Sequence, residues 1–126
     1  MPKVNYTKAK GLFQESSTLE GMRIFGETQA ITTDATNIGG AKAITAIMAI
    51  VTVHAGGGSV QLPEGAVGDV RVVVNTDGAN ACNVFPQSSE EVDNGGPGTA
   101  FSLAASKNAI FVYGSAARGW EVILSA

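Results

Sequence analysis

The sequence predicts an all-β fold: a small antiparallel β-sandwich or barrel of about seven strands, preceded by an extended N-terminal arm. Three observations carry that expectation. From Gly56 onward, short apolar runs recur between clusters of Gly, Asn, Asp and Pro. β-Branched and aromatic residues fill those runs. Sixteen glycines in 126 residues are nearly twice the ~7% average usage, as a turn-rich chain requires.

The elements follow in order. Residues 1–40 hold scattered apolar groups with no sustained period, and Thr28 to Thr36 is rich in Thr and Ala. Such a stretch cannot build a core of its own, yet it is too apolar for an inert tail. An arm lying on a partner fits both facts. Ser17-Thr18-Leu19-Glu20 matches a capping box that starts one helical turn, which Gly21 and Gly26 would keep short. Residues 41–54 are ambiguous. Ile44, Ile47, Met48 and Val51 stand at helical spacing, whereas Ile50-Val51-Thr52-Val53 is β-branched throughout. A strand over 46–54 is the expectation, with a short helix in the first half as the alternative.

Six further runs read as strands: Val60–Leu62, Val70–Val74, Asn83–Phe85, Phe101–Leu103, Ile110–Tyr113 and Trp120–Leu124. Pro63 ends the first of them, because it cannot donate to a ladder. Asp77-Gly78 reads as a hairpin signal, and residues 94–98 read as a loop. Val70, Val72 and Val74 share one face while Val73 lies opposite with Arg71. Sheets open on one side alternate more cleanly, so a closed barrel, a sandwich or a subunit interface covers both faces.

Length bounds the chain to one domain with an appendage. The net charge is −3. Lys3, Lys8 and Lys10 place +3 in the first ten residues, which leaves −6 on the rest. That balance excludes a phosphate-binding body, so nucleic acid is not the expected partner. The basic tip either docks on an acidic surface or is a solvated terminus. Cys82 is the only cysteine, so no intrachain disulfide forms. No apolar segment reaches the ~18–20 residues that span a bilayer. The N-terminal lysines are not followed by an apolar stretch, so no signal peptide is expected. The chain reads as made in a cytosol.

Chemistry-bearing constellations are sparse, and the expectation is a protein that is not an enzyme and takes no cofactor or metal. His54 stands alone, whereas a zinc site takes three or four ligands. Glu90, Glu91 and Asp93 offer oxygen ligands, but their spacing matches no calcium loop. Cys82 reads as a small buried hydrophobe. Asn5-Tyr6-Thr7 is a formal glycosylation sequon that means little without secretion. Phe111, Tyr113 and Trp120 would stack a sugar if exposed, and read as core at strand spacing.

One stretch carries a resemblance. Leu62-Pro63, then Gly68 to Asn75, then Gly78-Ala79-Asn80-Ala81-Cys82-Asn83-Val84-Phe85-Pro86 is similar to a module of tailed-bacteriophage structural proteins. In that module a strand ending in Leu-Pro leads to a valine-rich strand ending in Asn. A Gly-Ala-Asn turn, Val-Phe-Pro and a Gly/Asn-rich loop follow. Thr99–Ala105, Ile110–Tyr113 and Trp120 match its last pieces, so the likeness spans about residues 44–123. Gln87-Ser88-Ser89-Glu90-Glu91 departs from it, where a Gly-Asp loop belongs, and reads as an exposed or contact loop. The resemblance implies a virion protein of the capsid decoration (cement) type, trimeric, bound to the major capsid protein on the capsid exterior. It implies no membrane partner and no active site. The arm residues expected to touch the shell are Val4, Tyr6, Leu12, Phe13, Met22, Ile24 and Phe25. The other function implied is a receptor- or carbohydrate-binding module of a tail fibre or tail tip, served by exposed Tyr113 and Trp120.

Overall fold

Each expected strand run forms a strand, but the strands do not all pair antiparallel as expected. The computed structural model describes residues 3–7, 11–15 and 28–126, with side chains from residue 28 onward. Strands β1 (Lys3–Thr7) and β2 (Gly11–Glu15) pair antiparallel with each other, Tyr6 opposite Leu12 and Asn5 opposite Phe13. Then come β3 (Thr28–Thr32), a 3₁₀ turn (Ile38–Gly40), β4 (Lys42–Ala43), β5 (Met48–Thr52) and β6 (Gly58–Gln61). The series ends with β7 (Val70–Asn75), β8 (Cys82–Phe85), β9 (Phe101–Leu103), β10 (Asn108–Ser115) and β11 (Gly119–Leu124).

From β3 to β8 the chain changes sheet at every step. Strands β3, β5 and β7 lie side by side in a five-stranded sheet of order β11-β10-β7-β5-β3. Strands β4, β6 and β8 lie in a four-stranded sheet of order β4-β6-β8-β9. Because the chain crosses to the other sheet and returns, neighbours run parallel: β3 with β5, β5 with β7, β4 with β6, and β6 with β8. The segment is a short coil of three turns. Within these two sheets antiparallel pairing enters only at one end, where β9 joins β8 and β10 joins both β7 and β11.

This corrects the expected antiparallel architecture of about seven strands. The fold is all-β, but both sheets are mixed and β3 and β4 add to the expected set. Asp77-Gly78 does turn the chain, yet β7 and β8 belong to different sheets, so it makes a crossover and not a hairpin. No helix forms over 41–47, since the β-branched run wins and β4 and β5 occupy the stretch. Strand β3, within the stretch 1–40 expected as an arm, pairs with β5. The capping-box residues 17–20 lie outside the described residues.

One core lies between the sheets. Ile31, Val51, Val73, Phe111 and Trp120 from the five-stranded sheet meet Val60, Cys82, Val84 and Leu103 from the four-stranded sheet in a single buried cluster. Phe101 of β9 sets its ring edge-on to Phe111 of β10 at 5.9 Å, an arrangement favoured by the ring quadrupoles. A coil leaves backbone groups unpaired at its corners, and buried groups must find partners. Side chains supply them. Gln29 donates Nε2 to the Ala43 carbonyl and accepts at Oε1 from Thr45 N. Thr33 Oγ1 accepts from His54 N, and Ser59 Oγ donates to the carbonyls of Ala35 and Asn37. Asn75 is buried, and it donates Nδ2 to the carbonyls of Asn80, Leu103 and Ala104 while Oδ1 accepts from Asp77 N.

Candidate functional site

Alternation along the central strands aims one set of side chains at the core and the other at the opposite face of the five-stranded sheet. On β7 the inward set is Arg71, Val73 and Asn75, and the outward set is Val70, Val72 and Val74. Register then lines outward residues up across the strands. Thr28 stands opposite Met48, Met48 opposite Val72, Val72 opposite Ile110, and Ile110 opposite Ile123. A second row runs Ala30, Ile50, Val74 and Asn108. Neither row holds a charged residue.

This face is apolar and partly open. Ile50 and Ile110 are 38% and 37% exposed, and Ile123 near the end of β11 is 60% exposed. A groove of about 330 Å³ lies along β10 and the end of β11, lined by Met48, Val72, Val74, Ile110, Ile123 and Leu124, among others. Single exposed apolar residues are ordinary on a protein surface, but a contiguous apolar patch marks an interaction site. The valine-rich β7 announced cover on both faces. The sequence did not show which residues make up the second face, because register across four other strands is needed to see the rows.

The other candidate residues fall elsewhere. Glu90 of the acidic cluster turns inward, accepting at Oε1 from Gly65 N (2.8 Å) and at Oε2 from Trp120 Nε1 (3.2 Å). Glu91 and Asp93 pin the same loop to β11 through backbone bonds with Trp120. Gln87 Nε2 donates to the Leu62 carbonyl, so residues 87–93 form a fastened loop with Ser88, Ser89 and Asp93 exposed at its surface. Among the described residues no three His, Cys, Asp or Glu side chains gather as a metal site. His54 is exposed, and its Nδ1 accepts from Gly56 N.

Cys82 is fully buried, and burial pushes its thiol up to about 11. Tyr113 and Trp120 are also buried, packed edge to face at 5.3 Å. They present no stacking platform for a sugar. Of the expected contact residues, Val4 and Tyr6 lie on β1 and Leu12 and Phe13 on β2. Met22, Ile24 and Phe25 lie outside the described residues. No helix among the described residues is long and apolar enough to cross a membrane. The chain matches no family model and no curated protein sequence.

Proposed function

We propose that this chain is a structural component of a tailed-bacteriophage virion that decorates and stabilises the capsid. It binds the major capsid protein on the outer shell, across the joints between capsomers, and it works as an assembled homo-oligomer, a trimer. The observation that carries this reading is the partly open face with two uncharged, largely apolar rows, on a body whose loops are pinned by buried hydrogen bonds. Such a body is built to be covered by other chains and to hold its shape while covered. The resemblance of residues 44–123 to phage structural modules supplies the kind of assembly. An all-β body with its core between two mixed sheets is compatible with such a module.

The mechanism is additive burial. The N-terminal arm carries Val4, Tyr6, Leu12, Phe13, Met22, Ile24 and Phe25 toward the shell, with Lys3, Lys8 and Lys10 opposite in charge to an acidic surface. Each 100 Å² of apolar surface covered contributes roughly 2.5 kcal/mol before the costs of association. Many copies on one shell multiply that gain.

The test is removal of residues 1–25. The truncated protein is expected to keep its far-UV circular dichroism and cooperative unfolding, and to lose co-sedimentation with shells. Undiminished co-sedimentation would refute the role given to residues 1–25. Immunogold labelling of intact particles reads location directly: label over the head supports decoration, and label confined to the tail overturns it.

A further inference from the structure

We infer that Asn94-Gly95 is a self-modifying site, at which the Asn94 side chain is converted to a carboxylate when the loop around it opens. The inference lies outside the proposed function and does not rest on it.

The chemistry needs only the chain and water. The backbone nitrogen of Gly95 attacks Cγ of Asn94. A C–N bond forms, the bond from Cγ to Nδ2 breaks, and the amide leaves as ammonia with the proton of the Gly95 nitrogen. A five-membered succinimide ring remains. Water opens the ring at either carbonyl, giving aspartate or the isomer whose main chain runs through the side-chain carbon.

Sequence and surroundings single this residue out. The chain has seven asparagines, and Asn94 alone precedes a glycine. Glycine carries no side chain to screen its nitrogen. Both residues are exposed. Asn37, Asn75, Asn80 and Asn83 commit their side chains to hydrogen bonds. Asp77-Gly78 is the matching aspartyl pair, but Asp77 Oδ1 accepts from Ala79 N at 2.7 Å and Asn80 N at 2.6 Å. Those bonds hold its carboxyl below the ordinary value, and an ionised carboxylate is a poor electrophile.

The fold holds the reaction back. Asp93 and Asn94 have φ of 50° and 57°, and Gly95 N donates to the Val92 carbonyl at 2.9 Å. Two left-handed residues inside such a bond make a type I′ turn. The attacking nitrogen is therefore engaged with Val92, and Asn94 must leave the left-handed region before that nitrogen reaches Cγ. The surrounding loop keeps the turn in place. Gly98 N donates to the Glu90 carbonyl, Asp93 N to the Trp120 carbonyl, and the Glu90 carboxylate holds Gly65 N and Trp120 Nε1. Conversion then follows the population of the open loop. Either product adds a negative charge beside Asp93, and the isomer lengthens the main chain, so the original turn does not re-form.

Peptide mapping by mass spectrometry tests the inference, as a gain of one mass unit at Asn94. The full chain is held at pH 8 in buffer and in unfolding urea. In urea Asn94 is expected to convert ahead of every other asparagine, and in buffer at least about tenfold more slowly than in urea. Glu90→Gln is expected to speed conversion in buffer by about fivefold and to leave the urea rate unchanged. Gly119→Ala, which loosens the same loop from β11, is expected to act in the same direction, with circular dichroism showing that each variant is folded. Equal rates in buffer and urea would overturn the gating by the turn. Conversion of another asparagine ahead of Asn94 in urea would overturn the site, and folded variants that convert no faster than wild type would overturn the part given to the loop.

Discussion

Replacing Asn75 with Leu should loosen the tie between the two sheets. Asn75 sits at the end of β7 with 2% exposure. Its two Nδ2 protons face three carbonyls, Asn80 at 3.0 Å, Ala104 at 3.1 Å and Leu103 at 3.3 Å. Its Oδ1 accepts from Asp77 N at 3.0 Å. Three hydrogen bonds' worth of contact, at about 1 kcal/mol net each, disappears with the amide. The Leu103 carbonyl loses that partner in a buried setting, which adds about 1–2 kcal/mol. Ala104 keeps a bond from Lys107 N, and water reaches the half-buried Asn80. Leucine returns about 1–2 kcal/mol through its own burial. The expected cost is about 3 kcal/mol. Urea unfolding followed by the single Trp120 reads it: at a slope of about 2 kcal/mol/M the midpoint falls by about 1.5 M. A fall of less than about 0.5 M would refute the assignment of Asn75 as the tie. Asn75→Asp sharpens the test. A buried carboxylate facing carbonyls has its folded pKa raised, so the destabilisation is full at neutral pH. It is relieved as pH falls through the folded pKa toward the unfolded value near ~3.9. A variant equally unstable at pH 7 and at acid pH, relative to wild type, would contradict the geometry.

Three further outcomes are expected. Glu90→Gln retains the shape but replaces a charge-assisted acceptor of Gly65 N and Trp120 Nε1, and should cost about 1–2 kcal/mol with a shift in Trp120 emission; an unchanged midpoint would show that the carboxylate is not holding the loop. Gly119→Ala forces a side chain onto a residue at φ 66°, with its Cβ pressed against the Glu91 backbone, and should cost at least about 2 kcal/mol; wild-type thermal unfolding would refute the close approach. Cys82, its thiol raised from an ordinary 9.0 to about 11, should resist alkylation at pH 8 until urea unfolds the chain. Stability should then decline from about pH 9 to pH 11, where the unfolded thiol ionises first; rapid labelling of the native protein would contradict its burial.

Local chemistry was legible from the sequence, and pairing was not. The β-branched run Ile50–Val53 correctly outweighed the helical spacing of Ile44, Ile47 and Met48, because one buried face of a strand takes such side chains well. Thr28–Thr32 reads as part of an arm, since Thr and Ala dominate the stretch and Ile31 is its one large apolar residue. At a sheet edge one anchor is enough, because the parallel ladder to β5 supplies the remaining contacts. Asp77 does accept from Ala79 N and Asn80 N as a turn residue should, but a turn's chemistry does not say which sheet the next strand joins. In the sequence Glu90 reads as part of an exposed or contact loop, because acidic residues are usually exposed. Its partner Trp120 lies thirty residues away, beyond any local signal. The open face had a trace in the two-sided apolar character of β7, and its extent depended on a register that only the assembled sheet reveals.

The alternation of strands between sheets has a consequence for how the chain can vary in length. Each turn of the coil rests on the one before it, twenty residues separating Thr28 from Met48 and twenty-four separating Met48 from Val72 in register. The antiparallel strands β9, β10 and β11 close only the far end, the last of them against β10 alone. Inserting a complete turn between β5 and β7 would therefore lengthen both sheets by one strand each and leave that closing end intact. Insertion of half a turn would place every following strand in the wrong sheet. The architecture admits growth in whole turns, and so offers a descendant chain a taller body, with a wider apolar face, from the duplication of a single segment.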